Sequence, residues 1–366
     1  MTILLFIAGL IALIGGAELF LKGVDHFGLK WGVSPVVMGL TVVAFATGAP
    51  ELAISIKAAS TGSADLVLGN IIGSNIANIL LILGIVAVLK PIKITRRIIR
   101  VDVPIVIGAS LLLFVLAMDG MLTTFDGVVL IIGLLSYSLF TFFQIKKERN
   151  KGEGAEIFEY GESPDELASG AYFYIKNVGF LLIGLTLIVL GANWMVESAV
   201  TIARLLGLSE LVIGLTIVSI GTSLPEVATS VASARKGNAD IAVANVMGSN
   251  LYNLLLTLGL TLIIAPNILD VSIQALNLDL PFMVAVSIAC IPIFIAGFNL
   301  TRTDGIIFLF YYTSYLTYLV LDAYESPIIP TTEKVFLYGV LPATLIYMIW
   351  RVILYRKRVK SEFFVH

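Results

Sequence analysis

The chain has 366 residues, of which 58% are hydrophobic and only 13% charged, with a net charge of −2. A soluble domain carries about 25% charged residues, so too few polar groups are present to cover a water-facing surface, and the bilayer is the natural solvent. There is no basic arm or stripe to hold a phosphate backbone, which excludes a nucleic-acid binder, and the single cysteine, Cys290, cannot form an intrachain disulfide.

Crossing the hydrocarbon core as helix takes about 20 apolar residues. By that measure spans are expected near 2–23, 33–60, 65–88, 103–118, 126–145, 173–197, 210–233, 240–263, 280–298, 305–321 and 335–354. The first has no basic n-region and no small-residue cleavage site, so it reads as a retained span and not a secretory leader. The segments 90–100 and 146–170 are polar and lie outside the membrane. Counting the gaps alternately, one side holds only Lys57, Arg204 and Lys334. Every other lysine and arginine falls on the opposite side, among them Lys90, Lys93, Arg96, Arg97, Arg100, Lys146, Lys147 and the run Arg356–Lys360. Positive loops stay cytoplasmic. The N-terminus is therefore expected outside and the C-terminus inside.

The chain contains itself twice. Ala46–Gly84 and Gly221–Gly259 align at an offset of 175 with 18 of 39 positions identical. The match extends more weakly, Asp102-Val-Pro104 to Asp279-Leu-Pro281 and Asp126-Gly127 to Asp304-Gly305. Each copy covers five spans, and an odd number turns the second copy upside down. The expected fold is an all-α polytopic membrane protein of two inverted five-helix repeats, a design that places the substrate at the repeat interface near the midplane. The division is 1–145 for the first repeat, 146–172 for an acidic cytoplasmic linker, 173–322 for the second repeat, and 323–366 for an extra C-terminal helix with a basic tail.

Two segments of each repeat depart from plain hydrophobicity. The first is Thr47-Gly48-Ala49-Pro50-Glu51, matched by Thr222-Ser223-Leu224-Pro225-Glu226. Proline removes one N–H and clashes with the carbonyl four residues earlier, which frees carbonyls around Ala46 and Gly221. Such breaks are tolerated at membrane depth only where they line protein or a cavity. An ionised carboxylate there costs at least a few kcal/mol, and a bound cation is the obvious compensation for Glu51 and Glu226. The second segment runs from Asn70 through Ser74 to Asn78, matched by Asn245, Ser249 and Asn253. The spacing of four puts each trio on one helix face, as it does Thr47, Glu51 and Ser55. All these groups are hard oxygen donors, of which Ca2+ takes six to eight at about 2.3–2.6 Å, and Na+ accepts similar ligands at similar range. Transition metals would want histidine or cysteine, and His26 and His366 lie away from these motifs.

With [GA]-T-[SG]-x-P-E and G-S-N-x-x-N on consecutive spans of both repeats, the chain resembles the cation/Ca2+ exchanger superfamily, in particular its prokaryotic Na+/Ca2+ antiporter branch. The resemblance covers both repeats. It implies antiport by alternating access, with the first and sixth spans as sliding gates. It also implies ion ligands at Thr47, Glu51, Ser74 and Asn78 from the first repeat and at Thr222, Ser223, Glu226, Ser249 and Asn253 from the second, with the carbonyls of Ala44 and Ser219. Gly48 stands where many members carry serine, and Asn253 where some carry aspartate. The proton-coupled branch shows G-N-x-x-E in place of the Thr-x-x-Pro-Glu pattern, so Na+ is the expected counter-ion, with H+ as the alternative. The implied partners are Ca2+, Na+ and lipid, with no prosthetic group and no obligate protein partner.

Plainer roles compete for several residues. Asn70, Asn245, Asn75 and Asn250 also suit interhelical hydrogen bonds. Asp65, Asp240, Asp102, Asp279, Asp126 and Asp304 read as helix caps, and Glu18 and Glu197 as solvated helix ends. The acids of 146–170 lack EF-hand spacing and read as a solvated linker. A channel is disfavoured by inverted repeats around a central site. An enzyme is disfavoured by the absence of H-E-x-x-H and of any Ser/His pair.

Overall fold

The computed structural model describes residues 2–150, 171–206, 219–265 and 268–363. Nearly all of it is helix. The first repeat contains α1 (Thr2–Trp31), α2 (Pro35–Thr47), α3 (Ala49–Ser60), α4 (Ala64–Leu89), α5 (Ile98–Asp119) and α6 (Thr124–Asn150). The second contains α7 (Ala171–Leu205), α8 (Ser219–Thr222), α9 (Leu224–Arg235), α10 (Ala239–Ile264), α11 (Ala275–Ile295) and α12 (Arg302–Ala323). A last helix, α13, crosses over Ile329–Ile353 and continues to Phe363.

Among the described residues nine helices are long and apolar enough to span a membrane. The pair α2–α3, bent by 41° at Gly48, makes a tenth. The expected span 210–233 lies partly outside the described residues. Its described part breaks at Ser223, the position equivalent to Gly48. The linker at 151–170 lies outside them too, but both of its ends, to Asn150 and from Ala171, are helical and not loop.

The core is built on α4 and α10. Their apolar windows are 78% and 72% buried, against 44% or less for every other span. A helix enclosed by protein on all sides is apolar nearly all round, and the main departure in each of these two is one polar row, Asn70, Ser74 and Asn78 on α4 and Asn245, Ser249 and Asn253 on α10. Around them the repeats interlock. Gly84 on α4 meets Gly305 on α12, and its counterpart Gly259 on α10 meets Gly127 on α6. Gly39 on α2 lies against Ala244 on α10. At each contact a Cβ would sit at 2.8–3.0 Å from a neighbouring atom, so only glycine allows these helices to approach.

Two short ribbons join the repeats outside the bundle. Ile92–Lys93 (β1) pairs with Asn299–Leu300 (β4), and Met121–Leu122 (β2) with Leu269–Asp270 (β3), both antiparallel. Each pairs a first-repeat loop with a second-repeat loop that the alternation of spans assigns to the same side. An inverted duplication requires this pattern.

Helices α1 and α7 form a separate antiparallel pair of 30 and 35 residues. At 1.5 Å per residue both exceed the ~30 Å hydrocarbon core. Their seam repeats every seven residues: Gly9 against Gly191, Gly16 against Gly184, Gly23 against Asn177. The pair also carries His26, whose Nδ1 lies 2.7 Å from Asn177 Oδ1. Glu18 and Glu197, expected at solvated helix ends, instead sit exposed within these two helices, because both run on past them.

The other acidic positions divide. Asp304 closes a capping box with Thr301, and Asp126 accepts from the backbone N–H and hydroxyl of Thr123. Asp65 and Asp240 do not cap: Ser63 and Asn238 hold the N-cap positions and the acids fall in the first turn, where they still oppose the helix dipole favourably. Asp102 and Asp279 lie inside continuous helix, at the end of wide π-turns, and Asp279 accepts from Tyr315. The last helix is anchored firmly. Arg351 pairs with Asp304 and donates to Ala296 O and Asn299 Oδ1, while Tyr347 donates to the other Asp304 oxygen.

Candidate cation site

Each broken span sets a carbonyl end against a carboxylate. In the first repeat α2 ends at Thr47, Gly48 turns the chain, and Pro50 occupies the start of α3, where its missing N–H costs nothing. Glu51 then falls in the first turn of α3, against N–H groups that have no partner within the helix. The second repeat does the same with α8, Ser223, Pro225 and Glu226. Ala46 and Gly221 lose their usual donor because the fourth residue onward is proline.

Across the interface these ends meet the second motif of the opposite repeat. Gly48 adjoins Asn253, with an ideal Cβ 3.9 Å from Asn253 Oδ1. Ala44 packs against Gly248. Thr47 lies beside the Glu226 carboxylate, although its hydroxyl donates to Val43 O at 3.1 Å. Glu51 and Glu226 are near enough to repel each other. The structure thus brings together two acids that lie 175 positions apart in the sequence.

Burial is complete. Glu51, Glu226, Thr47, Ser74, Asn78, Ser223, Ser249, Asn253 and Ala44 are all 0–2% exposed. Thr222 is half-buried. Ser219 opens α8, and its side chain lies outside the described residues. Within this enclosed set, Glu51 Oε2, both Glu226 oxygens, the hydroxyls of Ser74, Ser223 and Ser249, and the amide oxygens of Asn78 and Asn253 have no hydrogen-bond partner in the protein. A buried polar atom left unpaired costs about 1–3 kcal/mol, and more when charged. So many bare buried oxygens on the segments at and opposite the helix breaks are unfavourable for folding alone, and their chemistry suits a dehydrated cation. Among the described residues no group of three or more His, Cys, Asp or Glu gathers anywhere. This donor set, two carboxylates with neutral oxygens, is that of a hard cation.

A second set of asparagines holds the donors in place. Asn70 donates to Glu51 O and Ser55 Oγ, and Asn245 to Thr229 and Ser230, tying each acid-bearing helix to the next. Asn78 Nδ2 donates to Asn250 Oδ1 at 2.9 Å, and Asn250 Nδ2 to Asn75 O at 3.3 Å. With its nitrogen so engaged, Asn78 is left with a buried oxygen that has no partner. The interhelical role expected for Asn70, Asn245 and Asn250 is the one they have, while Asn75 donates to Ile71 O within its own helix.

Two features were passed over in the sequence. At Asn78 and Asn253 the helices widen into π-turns, Asn78–Ile82 and Tyr252–Thr257. Such turns mark functional sites often, and no residue pattern announces them. Asp25 is the other. It lies buried at 7% exposure on α1, with Oδ1 unpartnered. Nearby, Lys236 in the turn after α9 donates to Glu18 O at 3.4 Å. Burial lowers the Lys236 ammonium pKa, while the Asp25 carboxylate acts in the opposite sense. In the sequence the acid lies just past the expected first span, one of several charged residues with Glu18, Lys22 and Lys30, and its lysine lies more than 200 residues away.

The family profile described as "Sodium/calcium exchanger protein" matches residues 1–146 and 176–321, leaving the last helix outside. The sodium/calcium exchanger MaX1 of Methanosarcina acetivorans is 32% identical over 343 residues, covering 86% of this chain and 97% of its own. The inner membrane protein YrbG of Escherichia coli is 33% identical over 286 residues, 78% of this chain and 86% of its own. Among solved structures, the sodium-calcium exchanger NCX_Mj soaked with 10 mM Na+ superimposes with a TM-score of 0.69 at 30% identity, covering 86% of this chain and 98% of the other.

Proposed function

Because the chain belongs to the sodium/calcium exchanger family, a family of Ca2+/cation exchangers and not of enzymes, we propose that it is a secondary antiporter exchanging Ca2+ for Na+ by alternating access. One observation carries the reading: Glu51 and Glu226, each 1% exposed, meet across the repeat interface with unpartnered oxygens around them. The ligands are Glu51, Glu226, Thr47, Thr222, Ser223, Ser74, Ser249, Asn78 and Asn253, with the carbonyls of Ala44 and Ser219. Ca2+ and Na+ compete for the same two carboxylates, and the competition provides coupling. An empty site leaves two like charges buried together, which disfavours crossing between the two access states. A loaded site is neutralised and crosses. The long pair α1–α7 is the moving element, and α4, α10 and the ribbons are the frame. The repeats divide near 145 and 173, with the N-terminus outside and the C-terminus in the cytoplasm of a prokaryotic cell, as the lysine and arginine distribution supports.

The test is Ca2+ uptake into proteoliposomes under an outward Na+ gradient, set beside an outward H+ gradient. Uptake driven by Na+ and lost in both Glu51→Gln and Glu226→Gln is expected. Uptake driven by the pH gradient alone would replace Na+ by H+ as counter-ion. Full Na+-driven uptake in both variants would remove the site from these residues.

A further inference from the structure

The two ribbons rest on equivalent turns, and one of those turns carries a residue unsuited to its backbone. At the end of the bundle closed by β2 and β3, the turn after α5 passes through Gly120 at φ 83°. The Gly120 carbonyl accepts the N–H of Val271 at 2.9 Å, and a Cβ at Gly120 would meet nothing within 4 Å. At the other end, the turn after α11 is the repeat counterpart, aligned through Asp126 and Asp304 at an offset of 178. There the left-handed position falls to Phe298, at φ 53°, whose carbonyl accepts the N–H of Ile94 at 2.8 Å. Glycine adopts that backbone freely, whereas a bulky side chain is strained in it. Such strain persists only where the surroundings over-determine it.

Here the surroundings come from two directions. From the first repeat, the Arg96 guanidinium lies over the Phe298 ring, 5.5 Å from its centroid. From the last helix, the Tyr355 ring meets the Phe298 ring edge-on at 6.0 Å. One turn earlier on that helix, Arg351 donates to Ala296 O at 2.8 Å and to Asn299 Oδ1 at 3.1 Å, and pairs with Asp304. One guanidinium thus ties the residues on both sides of Phe298 to the start of α12. Asp126 makes the same contacts to Thr123 that Asp304 makes to Thr301, but among the described residues no arginine pairs with it. The family profile ends at residue 321, so the helix that supplies Arg351 and Tyr355 is an addition to the matched unit.

We propose that the last helix is a strap for the β1–β4 ribbon. Arg351 and Tyr355 dock on the turn from Ala296 to Asp304 and hold Phe298 in its left-handed form, and with it the strand pairing that joins the repeats at that end. The β2–β3 ribbon, turned by glycine, needs no such helix. The two carbonyl bonds, Phe298 O to Ile94 and Gly120 O to Val271, are matched reporters. Hydrogen–deuterium exchange of the full chain in detergent is followed at the Ile94 and Val271 amides. In Arg351→Met, exchange at Ile94 should rise about tenfold relative to Val271, as local opening of one ribbon requires. An unpaired Asp304 could loosen the whole protein, so the double variant Asp304→Asn/Arg351→Met, which leaves no buried charge alone, is measured beside it and should show the same rise. Phe298→Gly removes the strain, and in that background Arg351→Met should move the ratio by less than about twofold. If both amides exchange faster together in the two Arg351 variants, or neither changes, Arg351 serves general stability alone and the proposal fails. If the rise persists undiminished in the Phe298→Gly background, the strained turn is not what the helix holds, and the proposal fails on that ground.

Discussion

Gly184 on α7 stands against the backbone of α1: a Cβ there would lie 2.6 Å from Phe20 N and 2.8 Å from Phe20 Cα. Gly179, five residues earlier on the same helix, has nothing within 4 Å of the equivalent position. Both glycine-to-alanine changes gain helix propensity of about 1 kcal/mol, so that term cancels between them. The difference is the clash. Backbone cannot rotate away as a side chain can, and opening 2.6 Å to an ordinary contact of about 3.4 Å moves the two helices apart along their seam. A gap of about 0.5–1 Å forfeits a quarter to a half of each dispersion contact it touches, and overpacking of this kind costs about 1–3 kcal/mol. Gly184→Ala should therefore unfold a few degrees below Gly179→Ala in detergent at one scan rate, and its Ca2+ uptake in proteoliposomes should be slower, α1 and α7 being the pair proposed to move. Equal melting and equal uptake in the two variants would refute close backbone packing as the basis of the seam.

Four further outcomes are expected. Saturating Ca2+ at about 100 times its Kd should stabilise the protein by about 2.7 kcal/mol, read as a thermal shift that disappears in Glu226→Gln. Asn250→Ala leaves the buried Asn78 nitrogen without its acceptor, at a cost of about 1–3 kcal/mol; the half-saturating Ca2+ concentration should rise about tenfold, and an unchanged value would dissociate Asn250 from the orientation of Asn78. Asn253→Asp adds a third acid to the site and should change cation preference or the pH dependence of transport with little loss of stability; unchanged selectivity and pH profile would place Asn253 away from the ion. Arg351→Met strips the buried Asp304 of its partner and should destabilise the fold by about 3–5 kcal/mol, with much of the loss recovered in the double variant with Asp304→Asn, as measured by thermal unfolding of the pairwise cycle.

Much of this protein was written in its sequence, because the bilayer imposes simple rules. Length and hydrophobicity decide a span, and a repeat of five spans decides inversion. The break in the second span was legible for the same reason: a proline followed by glutamate within apolar helix leaves few alternatives, and the bend at Gly48 is where that proline requires it. What depended on distance along the chain was not legible. That Gly48 faces Asn253, that Asn250 orients Asn78, and that Lys236 reaches α1 beside Asp25 all follow from how one repeat docks on the other. The acids at Asp65 and Asp240 read as caps because type and spacing fit, and only the exact residue at which each helix begins gave that position to Ser63 and Asn238. The ends of α1 and α7 misled for a related reason. A charged residue within an apolar run reads as the end of a span, yet a helix needs only its own backbone bonds to continue past one, and here both do. Local chemistry therefore specified which segments cross and where the helices break. Which oxygens face one another was decided by the packing of two inverted halves through glycine contacts, a three-dimensional fit that no spacing in one dimension encodes.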